Sequence, residues 1–202
     1  MDSKIIGVVG QIASGKGILV DYLTSHLGFT SFSLSSIVHE ELNKKGVKEF
    51  TRQTLQDMGD KLRRQEGDDV LAKHVIEQIE SDEIGWNQSR KIIIEGIRNP
   101  GEVEFLKKNQ NFILIGVKAS RRLRFKRLLI RNKQWDPKNY EDFIKVDKRD
   151  IGVGQDKSGQ QVGKCLAYCD YVLTNNKDVK DFEKKLEKLF IHKLFPGKFV
   201  GK

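Results

Sequence analysis

The chain has 202 residues, 37 basic against 28 acidic side chains and a net charge of +9, a length that suits one domain with a sheet covered by helices on both faces. No apolar run reaches membrane-spanning length and the N-terminus lacks the apolar core of a signal peptide, so no membrane partner is expected and a cytoplasmic setting is. Its two cysteines, Cys165 and Cys169, exclude a disulfide framework; with no third cysteine and only four scattered histidines they read as small, part-buried thiols rather than half a metal site.

The first predicted element is a strand. Residues 4–9 (Lys-Ile-Ile-Gly-Val-Val) form a short apolar run of the kind buried on both faces. Gly10-Gln11-Ile12-Ala13-Ser14-Gly15-Lys16 follows with the G-x-x-x-x-G-K spacing of a phosphate-binding loop, and Leu19, Tyr22, Leu23 and His26 then recur at helical spacing. Glycines let backbone N–H groups crowd round a polyphosphate, and the helix N-terminus adds positive potential. Lys16 is placed to reach the β- and γ-phosphates as a point charge. Most such loops continue with Ser or Thr, whose hydroxyl ligates Mg²⁺; here Gly17 and Ile18 follow, so phosphate cradling by Gly10 to Ile18 is expected without that ligand.

A second strand is expected over 29–33. Thr51 is a plausible cap for a helix over 51–65 with Leu55, Met58 and Leu62 in one stripe. Leu71, Val75 and Ile79 mark another over 69–79, capped by Asp68 or Asp69. The third strand, 91–94, runs into Glu95-Gly96-Ile97-Arg98-Asn99-Pro100. An acidic residue at the carboxyl end of such a strand is where a phosphoryl-transfer site places its Mg²⁺-facing carboxylate, so Glu95 is the metal candidate, directly or through water.

After a fourth strand over 112–117 comes a basic segment. Residues 118–133 hold eight basic side chains and no acidic one, which leaves the rest of the chain at +1. Such a local field suits a polyphosphate site, a nucleic-acid patch or both. On the helix from Ser120, Phe125, Leu128 and Leu129 would pack, while Arg124, Arg127 and Arg131 would grip phosphates or form a solvated face. Residues 134–163, polar and glycine-bearing, read as a mobile excursion. A fifth strand over 170–173 and a terminal helix with Phe182, Leu186, Leu189 and Phe190 inward complete the pattern, with 196–202 as a frayed tail. Strand alternating with helix predicts a doubly wound five-stranded parallel sheet of the α/β class, with ligands outside the carboxyl ends of its strands.

Taken in order, the loop at 10–17, Gly28-Phe29 leading to Ser33-Leu34-Ser35-Ser36, Thr51-Arg52-Gln53 with Leu62-Arg63, and Glu95-Gly96-Ile97-Arg98 form a set. It continues through Phe125 to Arg131, Asp147-Lys148-Arg149 and Asp170-Tyr171. Over about residues 4–190 the set resembles the P-loop nucleoside monophosphate kinases, a group that includes adenylate kinase and dephospho-coenzyme A kinase, and above all its small, poorly characterised archaeal and bacterial members. The resemblance implies one P-loop kinase domain over 1–202, with acceptor-binding helices at about 34–80 and a helical lid at about 120–163. It implies ATP and Mg²⁺ as cofactors. It also implies that Arg127 and Arg131 close over the ATP phosphates, that Arg149 stabilises the transferring phosphoryl group and that Arg98 faces the acceptor phosphate.

The acceptor side departs from that pattern. Where adenylate kinases carry an aspartate and then an arginine, this chain has Ser36 and His39, and Arg52 and Arg63 are the candidates to replace the missing charge. The first reading is therefore ATP-dependent phosphoryl transfer to a small acceptor, a nucleoside or deoxynucleoside monophosphate before dephospho-coenzyme A. The others are an ATPase acting on RNA or a ribonucleoprotein, which the lack of a recognisable RNA-binding motif disfavours, and a nucleotide-binding regulator without turnover.

Overall fold

The computed structural model describes residues 4–81 and 91–196. Five strands, β1 (Lys4–Gly10), β2 (Thr30–Ser33), β3 (Lys91–Ile97), β4 (Phe112–Lys118) and β5 (Tyr171–Thr174), pair in parallel in the order β2-β3-β1-β4-β5. The expected α/β sheet is present, and β1 is central because both its faces are apolar. Ile6 and Val8 join Ile93, Ile115 and Val117 beneath Leu19, Leu23 and Leu27 of α1 (Lys16–Leu27) and Phe182 and Leu186 of α9 (Val179–Glu187). Ile5 and Val9 join Ile92, Ile94 and Leu114 on the opposite face. That face is covered by α2 (Leu34–Lys44), α3 (Arg52–Glu66), α4 (Val70–Ser81), α5 (Pro100–Leu106) and α8 (Val162–Ala167). A π-helical stretch, Lys188–Leu194, extends α9 and buries Leu189 and Phe190.

Local chemistry sets the element ends that matter. Thr51 caps α3 by accepting from the Thr54 amide at 3.1 Å, and Thr54 returns the bond to the Thr51 amide at 3.4 Å. Asn99 caps α5, accepting from the Gly101 amide at 2.8 Å. β3 runs past the expected end at Ile94. The register breaks between Val8, paired with Glu95, and Val9, paired with Ile97, so Gly96, at φ +82°, is the extra residue of a bulge in β3. A bulge turns the strand end, so Glu95 stays in the ladder while the chain beyond it is aimed toward the loop.

Three expectations are corrected. The stretch 134–163 is not an irregular excursion: it contains α7 (Tyr140–Ile151), capped by Asn139, whose side chain accepts from the Asp142 amide at 2.9 Å. The inner face of α7 is Phe143, Asp147 and Asp150, so carboxylates occupy positions where an apolar stripe would have announced a helix. On α6 (Arg121–Arg131), Leu128 is buried with Ile12 and Phe143 in a small separate core, but Leu129 is exposed. Arg124 does not grip phosphate. It is buried, donating to both oxygens of Asp147 at 2.5 and 3.0 Å and to the carbonyls of Ala119 and Ile12. The tail expected to fray lies, from residue 197, outside the described residues.

Candidate active site

The loop sits where β1 hands over to α1. Gly10 lies flat against the Val117 carbonyl, and a Cβ there would collide with it. Ala13 (φ +56°) and Gly15 (φ +103°) take left-handed conformations that fold the loop over the helix N-terminus. For alanine this is strain, and strain of this kind persists where neighbours over-determine the backbone. The neighbour is Asn175, just beyond β5 and fully buried. Its Nδ2 donates to the Ser14 carbonyl at 3.0 Å, and its Oδ1 accepts from Arg127 Nη2 at 3.0 Å. A side chain on Gly15 would strike that amide.

Lys16 turns back on its own loop, donating to the Gly10 and Gln11 carbonyls at 2.7 and 3.0 Å. Burial pulls its pKa down to about 8; Asp150 opposes that shift and Arg98 adds to it. Ser14 Oγ is buried without a hydrogen-bond partner among the described residues. A buried hydroxyl without a partner and a desolvated ammonium are both costly, and both are relieved by an anion seated in the loop. The loop therefore fits a polyphosphate. Space beside Gly17 is open, and Ile18 lines the same cavity.

That cavity, about 580 Å³, opens between the loop, the ends of β2 and β3, and the helices α3, α6 and α7. It gathers Ile12, Ala13, Ser14, Gly15, Lys16, Gly17 and Ile18 with Glu95, Arg98, Arg127 and Arg131, and His39 of α2 with Arg52 and Arg63 of α3. Gly10, Ser36 and Arg149 are outside its lining. Ser36 instead donates to the Ser33 carbonyl at 2.7 Å, and Ser35 takes the wall position, 2.9 Å from Ser33 Oγ. Arg149 is drawn to α3 by Asp57 (2.6 Å) and Asp60 (2.7 Å). Arg63 touches the cavity but is 2% exposed, and its guanidinium is committed to Glu102 at 2.8 Å and Asp60 at 3.3 Å. A buried arginine so occupied has little left for a substrate phosphate.

The remaining arginines also meet carboxylates. Asp136, almost fully buried, bridges Arg131 (2.6 and 2.8 Å) and Arg52 (3.0 Å), tying the end of α6 to the N-terminus of α3. Arg98 reaches Asp150 at 3.3 Å. Arg127 donates to Asn175 and to the Ser14 carbonyl (3.4 Å), so this α6 arginine braces the phosphate loop. His39 packs against Phe50 and Trp135, with ring centroids 4.9 and 5.5 Å away, and Lys133 lies over the Trp135 ring. Burial, then the charges of Arg52, Lys133 and Arg98, lower the pKa of His39, so at neutral pH it is an uncharged aromatic wall rather than a phosphate clamp.

Sequence reasoning missed Asn175, Asp136, Asp150, Ser35 and Trp135. The carboxyl-end rule alone had a signal for Asn175, as the first polar residue after β5. No group of three or more His, Cys, Asp or Glu side chains among the described residues is arranged to hold a metal ion. Mg²⁺ in phosphoryl-transfer sites needs only one or two carboxylates besides the substrate phosphates, so Glu95 fits that role.

Known proteins resemble the chain in sequence and in fold. Residues 9–144 match the family model AAA_17, described as an AAA domain. A UPF0200 protein of Methanothermobacter thermautotrophicus is 30% identical over 94% of this chain and 90% of its own length. Another, from Sulfurisphaera tokodaii, is 32% identical over 92% and 95%. Among solved structures, shikimate kinase from Acinetobacter baumannii in complex with shikimate superposes with a TM-score of 0.56 at 18% identity, covering 95% of this chain and 96% of that one. Dephospho-CoA kinase from Campylobacter jejuni gives 0.54 at 18%, covering 96% and 98%. At such identities these two likenesses speak for the fold alone.

Proposed function

The chain belongs to the AAA-domain family matched over residues 9–144 and to the UPF0200 proteins, and on that premise we propose that it is an ATP-dependent kinase acting on a small, nucleotide-sized acceptor. The observation that carries this reading is one cavity into which the phosphate loop, Glu95 and the lid arginines all open. Lys16 and the loop amides would hold the donor phosphates, Ser14 Oγ would find its partner there, and Glu95 would help place Mg²⁺. Bound Mg²⁺ would neutralise charge on the β- and γ-phosphoryl oxygens. Arg131 and Arg127 would then face the donor from the lid. Asp136, Arg149 and the Gln56–Gln160 bond hold the segment after α6 against α3, a contact that would help to keep water from the transferring group.

The acceptor would lie against His39, Trp135, Ser35 and Arg52. A nucleoside or deoxynucleoside monophosphate is the acceptor class the sequence favours, and an acceptor of the dephospho-coenzyme A type is the other. They differ in the atom that takes the phosphoryl group, a phosphate oxygen or a hydroxyl. The test is ADP release from Mg-ATP with all ribo- and deoxynucleoside monophosphates, nucleosides, shikimate and dephospho-coenzyme A, with Arg131→Ala as control. Stimulation by one acceptor, lost in the variant, is the expected result. ATP binding without stimulation by any of them would refute the kinase reading.

A further inference from the structure

We infer that the phosphoryl group is delivered to a hydroxyl and that Asp150 is the catalytic base which receives that hydroxyl's proton; the inference rests on the kinase reading and names the acceptor chemistry of the same site. Asp150 comes from the last turn of α7, one turn after Val146, and both line the cavity. It is 3% exposed. One oxygen, Oδ1, accepts from Arg98 at 3.3 Å, and the other, Oδ2, is buried with no hydrogen-bond partner among the described residues. A buried carboxylate oxygen without a donor is costly, so the site is built for a donor that arrives with the ligand.

Two features say that this donor is an alcohol. An acceptor that presents a phosphate to the donor would bring a second anion against Asp150, and like charges at short range repel. A phosphate acceptor also draws on cationic charge, and Arg98 spends its own on Asp150 while Arg52 shares the single carboxylate of Asp136 with Arg131. An O–H group has no such need: it donates to Asp150 Oδ2, and the hydroxyl of Ser35 in the cavity wall offers neutral polar company. Asp150 also lines the same cavity as Lys16 of the phosphate loop.

The step balances simply. The acceptor oxygen forms a bond to the γ-phosphorus, and the bond from that phosphorus to the oxygen bridging to the β-phosphate breaks. Its electron pair leaves on ADP, and the hydroxyl proton passes to Asp150 Oδ2. Asp150→Asn keeps the shape but cannot take the proton, so turnover falls about 10²–10⁴-fold, the usual worth of a positioned base.

The experiment uses the full chain with Mg-ATP and the acceptors named above, and identifies the product by ³¹P NMR. A phosphate monoester resonance is expected, with Asp150→Asn losing turnover while its calorimetric affinity for Mg-ATP changes less than about twofold. Asp150→Glu, which moves the carboxylate without removing it, should recover part of the rate. A phosphoanhydride product would overturn the hydroxyl assignment and leave the kinase intact. No product with any acceptor would overturn the kinase reading and the inference with it. Weakened Mg²⁺ dependence in Asp150→Asn with turnover restored at high Mg²⁺ would make Asp150 a metal ligand and overturn its role as base. Should Asp150→Asn not fold, the product of the unaltered protein still decides between hydroxyl and phosphate.

Discussion

Replacing Arg63 by methionine separates a structural arginine from a substrate clamp. Arg63 is buried on α3 with Glu102 of α5 at 2.8 Å and Asp60 at 3.3 Å. Glu102, itself fully buried, also accepts from the Arg98 and Asn99 amides at 2.7 and 3.0 Å, so it ties α3 to the turn that carries Arg98. Removing one partner of a buried ion pair costs about 3–5 kcal/mol because the other charge is left without its counter-ion. Glu102 keeps its two amide donors and Asp60 keeps Arg149, which puts the expected loss near the lower bound, about 3 kcal/mol. For a chain of this length each kcal/mol moves Tm by about 2–4 °C, so Arg63→Met should melt about 6–12 °C lower. Thermal melts by circular dichroism read this directly. Arg63→Met with Glu102→Gln should recover part of the loss, since no unpaired charge remains. A melt within about 2 °C of the unaltered protein, with only acceptor KM raised, would refute the reasoning and return Arg63 to the substrate.

Nucleotide affinity should fall as pH rises above about 8, because burial lowers the Lys16 pKa from 10.5 to about 8 and a bound phosphate would raise it again. Binding then takes up a proton, and affinity falls by up to about tenfold per pH unit between about 8 and 10.5. Calorimetric titration of Mg-ATP in two buffers of different ionisation enthalpy checks this; a flat profile would mean that Lys16 does not meet the phosphates. In the free protein the same lowered pKa works the other way. The unfolded chain holds more protons across that window, so stability rises with pH through it. Asp136→Asn should loosen the lid. Burial pushes this carboxyl up, but the bonds and charges of Arg131 and Arg52 win and hold it below its usual range. Its contribution is therefore present above the unfolded pKa near 3.8 and lost as pH falls through the lower folded value. Weakening its charge-assisted bonds should cost about 2–3 kcal/mol and expose the chain around Asp136 to limited proteolysis, and an unchanged cleavage pattern would show that Asp136 does not latch the lid.

The parts of the site that a linear reading recovers are those whose cause is local. Continuous apolar runs announce β1, β3 and β4 because both faces of the sheet are covered, and Thr51 announces α3 because its cap bonds only three residues on. The phosphate loop is legible because glycine spacing is itself the physical requirement. What stayed hidden depends on distant partners. Arg63 looks like a free cation until Glu102, 39 residues later, folds beneath it. Asn175 meets the Ser14 carbonyl across 161 residues. The helix α7 escaped for a different reason: its buried stripe is drawn in carboxylates, Asp147 and Asp150, which a hydrophobic pattern counts as surface.

Those carboxylates also explain what becomes of the basic segment at 118–133. Arg124 is absorbed by Asp147, Arg131 by Asp136, and Arg127 by the carbonyls and amide around Asn175; Arg121 shares Asp147 at 3.0 Å. Arg122 and Lys126 are left on the surface, and they share that surface with exposed Leu129 and Ile130. A stripe that follows a nucleic-acid backbone needs several cations free to displace counter-ions, and each one held by an internal carboxylate gives up that role. The same distribution suits a lid over a small anion. A lid has to be rigid before the ligand arrives, and cations fixed by buried partners are pre-organised where charge will develop, so no reorganisation is needed at the moment of transfer. Four of the eight positive charges thus read better as the internal scaffold and inner wall of one small cavity than as an outward-facing surface.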